Sequence, residues 1–394
     1  MSKVNKIKIG RYVKQSKGYS AFTPNAFPPQ EGFELSAKLH KKHEEALRLV
    51  GKLDGITQLL PDKDFFLLMF IKKDATYSSQ IEGTKATFQD AVAASVEGEK
   101  PKLNIDVDDI THYVEAINYG IKRIKDLPIS LRLIKEIHKK LMVGARSTHY
   151  AYPGEFRTTQ NWIGGKTLSD ASFIPPAPND LITCLSDLER FIHSKDNYPF
   201  LIKAGLVHAQ FETIHPFVDG NGRVGRMLIA LYLHHIGLLE LPVLYLSSYF
   251  KKHQKLYYQR LSEYHGEGYG VEEWLIFFLE GVAEIAQASI ETCAKITALR
   301  DRDFSAALKL GKASAESTLE IVRKLFNQPI VGIAEIMNWT GFSKQGAYNV
   351  IQRLMNLRIL EPLGDQIYGQ KYVYADYYEI FDESYKERRH KKGK

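Results

Sequence analysis

His215-Pro216-Phe217-Val218-Asp219-Gly220-Asn221-Gly222-Arg223-Val224-Gly225-Arg226 is the stretch on which the reading of this chain turns. It places a proton acceptor, a carboxylate, a glycine turn and two guanidinium groups in one short run. Gly220-Asn221-Gly222 stands just before an apolar-periodic segment with Met227, Leu228 and Leu231, so the turn opens a helix. Glycines let the backbone approach an anion. The first amides of a helix are unpaired donors with partial positive charge, which suits phosphate oxygens. Arg223 and Arg226 extend that pocket with guanidinium forks. Asp219 is placed to hold a divalent cation, and Mg²⁺ takes few protein carboxylates plus phosphate oxygens. His215 is an acceptor for a hydroxyl proton near neutral pH. A single His, a single Gly-Asn-Gly or an Arg pair on a helix would each be ordinary; their joint presence in this order points to phosphate chemistry.

The rest of the composition narrows the class. With 394 residues, two or more structural units are expected. The net charge of +7 is mild, and a solvated surface explains it as well as a nucleic-acid patch does. Cys184 and Cys293 are far apart and lack CxxC or Cys/His spacing, which argues against structural zinc and a disulfide framework and suggests a cytoplasmic protein. The basic N-terminus has no apolar core of a secretory signal. The most apolar long stretch, residues 228–246, is interrupted by His234, His235, Glu240 and Pro242 and reads as buried helix and loop.

Along the chain, residues 1–30 read as an extended arm ending at Pro28-Pro29. Helical spacing of Leu39, His43, Leu47 and Val50 runs to Gly51. Further helices are expected over 65–81, 110–124 and 131–141. Residues 151–178 carry Pro153-Gly154, Gly164-Gly165 and Pro175-Pro176 and predict a β-hairpin flap in an otherwise helical unit. Helices resume over 179–194, 200–214, 221–236, 251–264 and 271–300. A Gly, Ala, Ser and Lys stretch over 309–317 marks a boundary. Beyond it the pattern predicts helices over 318–326, 332–338 and 344–356, a turn at 339–342, and strands at 366–368 and 372–374. The tail from 386 is basic. The expected units are 1–108, 109–300 and 309–394.

The opening stretch resembles the signature of the Fic family, HxFx(D/E)GNGRxxR, at every specified position. That resemblance implies a mainly α fold: a Fic-type helical core with a β-hairpin flap. It also implies transfer of AMP from ATP to a Ser, Thr or Tyr hydroxyl of a target protein, with Mg²⁺. The Doc branch phosphorylates instead and carries Lys where Gly222 stands, so Gly222 favours AMP transfer. By resemblance, His215 is the general base, Asp219 the metal ligand, and Gly220, Asn221 and Gly222 the anion hole. Arg223 and Arg226 hold the β- and γ-phosphates, with Val224 and Gly225 in the same binding run.

Two further segments follow the family pattern. Ser78-Ser79-Gln80-Ile81-Glu82-Gly83 resembles its inhibitory motif, (S/T)xxxE(G/N). Ser78 and Glu82 share one helix face, and Gly83 suits a positive-φ residue after the helix. A carboxylate in a last helical turn opposes the macrodipole, which makes sense if it has a cationic partner; the resemblance names that partner as Arg226. The same glutamate orients a water for AMP removal in some relatives, so a bifunctional enzyme with dominant AMP removal is an alternative. Residues 154–164 resemble the flap that pairs with an extended target segment, with Asn161, Trp162, Ile163 and Gly164 lining the nucleotide. Tyr257 resembles the adenine-pocket aromatic, and His265 stands where some relatives have an Asn facing adenine.

The C-terminal order of helices and strands resembles a winged helix-turn-helix domain. Ser343 caps its third helix, Ala347, Ile351 and Leu354 form the buried stripe, and Lys344, Gln345, Tyr348, Asn349 and Arg353 lie on the other side. Gly369-Gln370-Lys371 is the expected wing tip. DNA binding by this unit competes with protein docking, and a nucleotide-sensing transcription regulator is the other alternative. Self-modification and a homodimer stay open; no membrane partner is expected.

Overall fold

A computed structural model describes residues 8–27, 35–58, 60, 63–94, 105–144, 148–266, 270–364, 369–382, 385 and 389. The chain opens with an antiparallel hairpin, β1 (Gly10–Lys14) and β2 (Ser20–Pro24). Helices α1 (Ala37–Gln58), α2 (Lys63–Ile81), α3 (Phe88–Ala93), α4 (Ile105–Arg123), α5 (Leu131–Met142) and α6 (Thr148–Ala151) follow. After residues 152–177 come α7 (Pro178–His193), α8 (Phe200–Ile214), α9 (Asn221–His235), α10 (Ser247–Lys252), α11 (Gln254–Tyr264) and α12 (Gly270–Leu308). The last section holds α13 (Lys312–Asn327), β3 (Ile330–Val331), α14 (Ile333–Thr340), α15 (Lys344–Asn356), β4 (Glu361–Leu363), β5 (Lys371–Val373) and α16 (Ala375–Phe381). The mainly α expectation holds.

The centre of the core is α8, whose residues from Leu201 to Ile214 are all buried. A helix apolar all round belongs inside, so the residue at its C-terminus emerges from the interior. α9 packs against α8 and is nearly as buried. Around this pair, α5 turns a stripe of Leu133, Ile134, Ile137, His138, Leu141 and Met142 inward; its start is fixed by Ser130, whose hydroxyl accepts from the Leu133 amide. α12 is about 60 Å long and packs along α1. Among the described residues no helix is long and apolar enough to cross a membrane. Both cysteines are buried free thiols.

Several expected boundaries move, each for a local reason. The N-terminal arm is a hairpin: Phe22 is buried and its ring sits 5.7 Å from that of Phe173, which anchors the strands. α1 continues through Gly51 because Leu53 and Thr57 extend its buried stripe of Leu39, Ala46, Leu49 and Val50, whereas Leu47 faces solvent. The expected helix over 251–264 is two helices broken at His253. α12 passes residue 300 because Asp303 is buried against the Tyr374 hydroxyl and Arg302. The following connection shrinks to 309–311, since 312–317 are already helical. The flap is not a ladder of paired strands: residues 152–177 are irregular, closed by one antiparallel bridge between Ile163 and Phe173.

In the last section α15 has the expected bounds, and the Ser343 hydroxyl accepts from the Gly346 amide. α14 runs through Trp339 and Thr340 to stop at Gly341, which adopts φ 69°. Strand β3, which the sequence reading missed, joins a three-stranded antiparallel sheet of order β3-β5-β4. The strand pairing with β5 is 361–363; the expected 366–368, like Pro28-Pro29 and nearly all of the tail from 386, lies outside the described residues. This section packs back on the rest. α13 lies on α2, and Phe381 meets Phe70 edge-on at 5.4 Å.

Candidate active site

His215 caps α8 in the left-handed region, with φ 49° and its amide donating to the Phe211 carbonyl at 3.0 Å. Such a backbone is uncommon for a side chain of this size and needs support. Arg157 supplies it. Its buried guanidinium donates to the carbonyls of His215 (2.9 Å), Thr159 (3.2 Å), Pro176 (2.6 Å) and Ile214 (3.4 Å), and its own amide donates to the Pro216 carbonyl at 2.9 Å. Burial lowers its pKa to about 10. The His215 Nδ1–H donates to the Glu212 carbonyl at 3.4 Å, which leaves Nε2 as the ring's acceptor. Burial, reinforced by Arg157, pushes this imidazole down to about 4. It is therefore neutral at pH 7 and able to take a proton.

The turn from 215 to 220 is closed from inside. Asn221 Oδ1 accepts from the Phe217 amide and Nδ2 donates to the Phe217 carbonyl, both at 2.8 Å. His138 stacks on Phe217 with ring centroids 3.7 Å apart. The Gly154 amide donates to His138 Nδ1 at 2.9 Å, so the proton sits on Nε2 and is donated to the Asp219 carbonyl at 3.0 Å. Burial pushes this ring down to about 4, which keeps it neutral in that tautomer. One imidazole thus ties the flap to the Asp219 turn. Gly220 has φ 81°, and a Cβ there would lie 2.8 Å from Met142 Sδ.

At the start of α9 the expected pair forms. Arg226 NH2 donates to Glu82 Oε1 at 2.7 Å and to the Ser78 carbonyl at 3.0 Å, while Nε donates to Ser78 Oγ at 2.8 Å. The guanidinium is 2 % exposed and the carboxylate 39 %. Burial alone would lower the Arg226 pKa, but Glu82, Tyr257 and Glu212 raise it above its usual value. Gly222 permits this approach: a Cβ on it would lie 2.3 Å from Glu82 Oε1. The Glu82 carboxylate therefore lies against the first turn of α9, where the helix end favours an anion.

The last turn of α2 is held from outside. Lys251 Nζ donates to the Gln80 carbonyl at 2.9 Å, and Gln254 Nε2 and the Tyr258 hydroxyl donate to the Ile81 carbonyl at 3.1 and 3.3 Å. These contacts satisfy carbonyls that a helix end leaves orphaned. Gly83 follows with φ 99°.

Other predicted site residues fall elsewhere. Tyr257 is 1 % exposed, with its ring stacked on Phe250 at 4.4 Å and its hydroxyl donating to His208 Nε2 at 2.9 Å; it is a core residue, and Tyr258 is the exposed neighbour. Val224 and Gly225 face the core, where the Gly225 carbonyl accepts from His208 Nδ1. Asn221 and Asn161 spend their side chains on the turn, Asn161 donating to the carbonyls of His215 (3.3 Å) and Phe217 (2.9 Å). Arg223 is buried between Asp109 and Asp219, each 3.9 Å away, with NH2 against Met142 Sδ. Trp162, Ile163 and Gly164 stay exposed on the flap. His265 packs on Phe173 and hydrogen-bonds Thr213. Arg353 is tied to Ser314 and Ser317 of α13.

Asp219 keeps one oxygen on the Gly220 amide at 2.6 Å, and its side chain is 39 % exposed. Among the described residues no cluster of His, Cys, Asp and Glu holds a metal by protein ligands alone. A single accessible carboxylate fits Mg²⁺ when phosphate oxygens complete its shell.

Arg157 and His138 were not singled out from the sequence. The signal for His138 was a histidine on the apolar stripe of α5. Arg157 offered a weaker one, an arginine inside the Gly- and Pro-rich segment.

The chain is similar in sequence and fold to known proteins. Residues 128–233 match the model of the Fic/DOC family, and residues 40–122 match that of the Fic/DOC family N-terminal region. The first spans α5 to α9 and the second includes Ser78 to Gly83. The chain is 33 % identical over 117 residues to the protein adenylyltransferase Fic of Drosophila melanogaster, covering 29 % of this chain and 22 % of that protein. It is 32 % identical over 135 residues to the protein of the same name in Aedes aegypti, covering 34 % and 24 %. The matched region thus spans less than a quarter of these relatives' length. A Fic family protein of Desulfovibrio desulfuricans superposes with TM-score 0.55 at 17 % identity, over 86 % of this chain and 97 % of that one.

Proposed function

We propose that this chain, a member of the Fic/DOC family, transfers AMP from ATP to a Ser, Thr or Tyr hydroxyl of a target protein and is held back by its own Glu82. The single observation that carries the reading is a neutral His215 with Nε2 as acceptor, beside a helix N-terminus whose Arg226 is engaged by a carboxylate. In the reaction His215 Nε2 takes the hydroxyl proton. The hydroxyl oxygen bonds to the α-phosphorus as the α–β anhydride bond breaks, and pyrophosphate leaves with the electron pair. The amides of Asn221 and Gly222 and the Arg226 guanidinium stabilise the phosphate charge, which is the larger part of catalysis in such transfers, while the Gly220 amide holds the Asp219 carboxylate. Asp219 would hold Mg²⁺, which would supply further charge neutralisation to the phosphates. Glu82 occupies Arg226, so ATP that binds beside it lacks the cation its outer phosphates need.

The C-terminal section is proposed as a winged helix-turn-helix unit; its helix–strand–helix–helix–strand–strand order supports this. The exposed Lys344, Gln345, Tyr348 and Asn349 are its contact face toward DNA.

The test is incubation with ATP labelled on the α-phosphate and Mg²⁺. Label on protein should rise about tenfold in Glu82→Gly. It should fall by about 10³ when His215→Ala is added. Equal labelling by wild type and Glu82→Gly refutes the brake, and labelling that survives His215→Ala refutes the base.

A further inference from the structure

We propose that the outer edge of β1 is a docking strand for an acidic, extended segment of the protein that this chain modifies. The occupant's identity as a target protein rests on the AMP-transfer reading; the edge and its charge do not.

The register defines the edge. The Asn25 amide donates to the Ile9 carbonyl and the Gln15 amide to the Tyr19 carbonyl, so residues 9, 11, 13 and 15 point their backbone groups at β2. In an antiparallel pair the alternate residues then point outward. The amides and carbonyls of Tyr12 and Lys14 therefore form the exposed outer edge, which starts after the buried Gly10, and no hydrogen bond to them is made among the described residues. On the far side of the hairpin the Phe22 amide donates to the Ile174 carbonyl at 2.8 Å. Phe173, the neighbour of Ile174, forms the flap bridge with Ile163. The hairpin is thus a lateral extension of the flap, and β1 is its outermost strand.

Charge selects the partner. The first 30 residues hold Lys3, Lys6, Lys8, Arg11, Lys14 and Lys17 and no acidic residue, which accounts for most of the +7 net charge. Lys8, Arg11, Lys14 and Lys17 are exposed, and Tyr12 is 57 % exposed beside them. Cations along an edge repel a second copy of the same strand, which disfavours self-pairing. Outward carbonyls alternate with outward amides along the strand and would repel phosphate oxygens, whereas another polypeptide pairs with both. An acidic strand satisfies the backbone and the charges together, and long-range attraction speeds its capture.

The experiment is fluorescence anisotropy of a labelled short peptide alternating Glu and Val, titrated with the full chain without nucleotide. Saturable binding is expected, lost for a Lys–Val peptide and for a Glu–Val peptide N-methylated at alternate residues. Arg11→Glu with Lys14→Glu should weaken it about tenfold or more, whereas His215→Ala should leave it unchanged. No saturable binding, or affinity indifferent to both charge reversal and N-methylation, overturns the proposal. So does a thymidine oligonucleotide that binds through the same cations while the peptide does not. Because no ATP is present, binding that persists in a chain that never transfers AMP would sink the enzymatic reading and leave the docking edge standing.

Discussion

The turn from His215 to Gly220 and the end of α2 sit side by side but are held in opposite ways. The turn from His215 to Gly220 is fixed by side chains that donate to its carbonyls: the buried Arg157, Asn221 and His138 and the half-buried Asn161. Each leaves an orphaned polar group if removed, so the turn is expensive to deform. The end of α2 is held by Arg226, which pairs with the half-exposed Glu82 carboxylate and donates to Ser78, and by three side chains from the rim. The three rim contacts are weak singly and release locally. A rigid centre under a removable latch is what an enzyme with an internal restraint requires.

The sharpest way to break this contrast is Arg157→Met. If the turn is as over-determined as its hydrogen bonds indicate, the loss of donors to four carbonyls should lower stability on the order of 3 kcal/mol. In a Glu82→Gly background it should also lower kcat about a hundredfold with KM little changed, because His215 loses its fixed position. Urea denaturation and steady-state labelling measure the two. An unchanged kcat would show that the left-handed turn at His215 stands without the clamp.

Glu212 lies at the seam between the two regions. It is buried on α8, and a Cβ on Gly225 would lie 2.3 Å from its Oε1. Burial pushes its pKa up to about 8; Arg226 opposes that shift and Glu82 adds to it. The folded state therefore holds a proton that the unfolded chain releases near pH 4.5, so stability falls as pH rises from about 4.5 to about 8. Glu212→Gln removes that dependence. Its stability relative to wild type should grow across this window by a few kcal/mol, and thermal melts at several pH values measure it. Adding Glu82→Gly removes an acidic neighbour and should move the upper end of the window down. A pH-independent difference would mean that Glu212 is already ionised in the folded state.

The same contrast explains what was legible in the sequence. The turn and α9 are contiguous, and their residue types carry the chemistry directly, so His215, Asp219, Gly222 and Arg226 could be read in order. The contact of Arg226 with Ser78 and Glu82 was legible because those two residues are one helical turn apart. Arg157 and His138 act on backbone carbonyls contributed by distant segments, and no residue type marks a carbonyl that needs a donor. Tyr257 was misplaced because helical spacing does not tell the inward from the outward of two adjacent tyrosines; the neighbours Phe250 and His208 decide it. The flap was over-read as a hairpin because Gly and Pro mark turns without fixing how many strand pairs form between them.

The smallest effect tests the latch itself. Lys251, Gln254 and Tyr258 do not touch Glu82 in any hydrogen bond; they hold the carbonyls of Gln80 and Ile81, two residues and one residue before it. Their contribution is to keep α2 wound to its end, so that the Glu82 carboxylate stays over Gly222 and on Arg226. Losing two of the three should cost about 1 kcal/mol in the closed state, since the freed carbonyls are near solvent. Lys251→Met with Tyr258→Phe should then raise basal labelling about fivefold while leaving the rate of the Glu82→Gly protein unchanged. The second arm is decisive. A change that persists without Glu82 would place these side chains in catalysis, and the separation between rigid turn and releasable latch would fail.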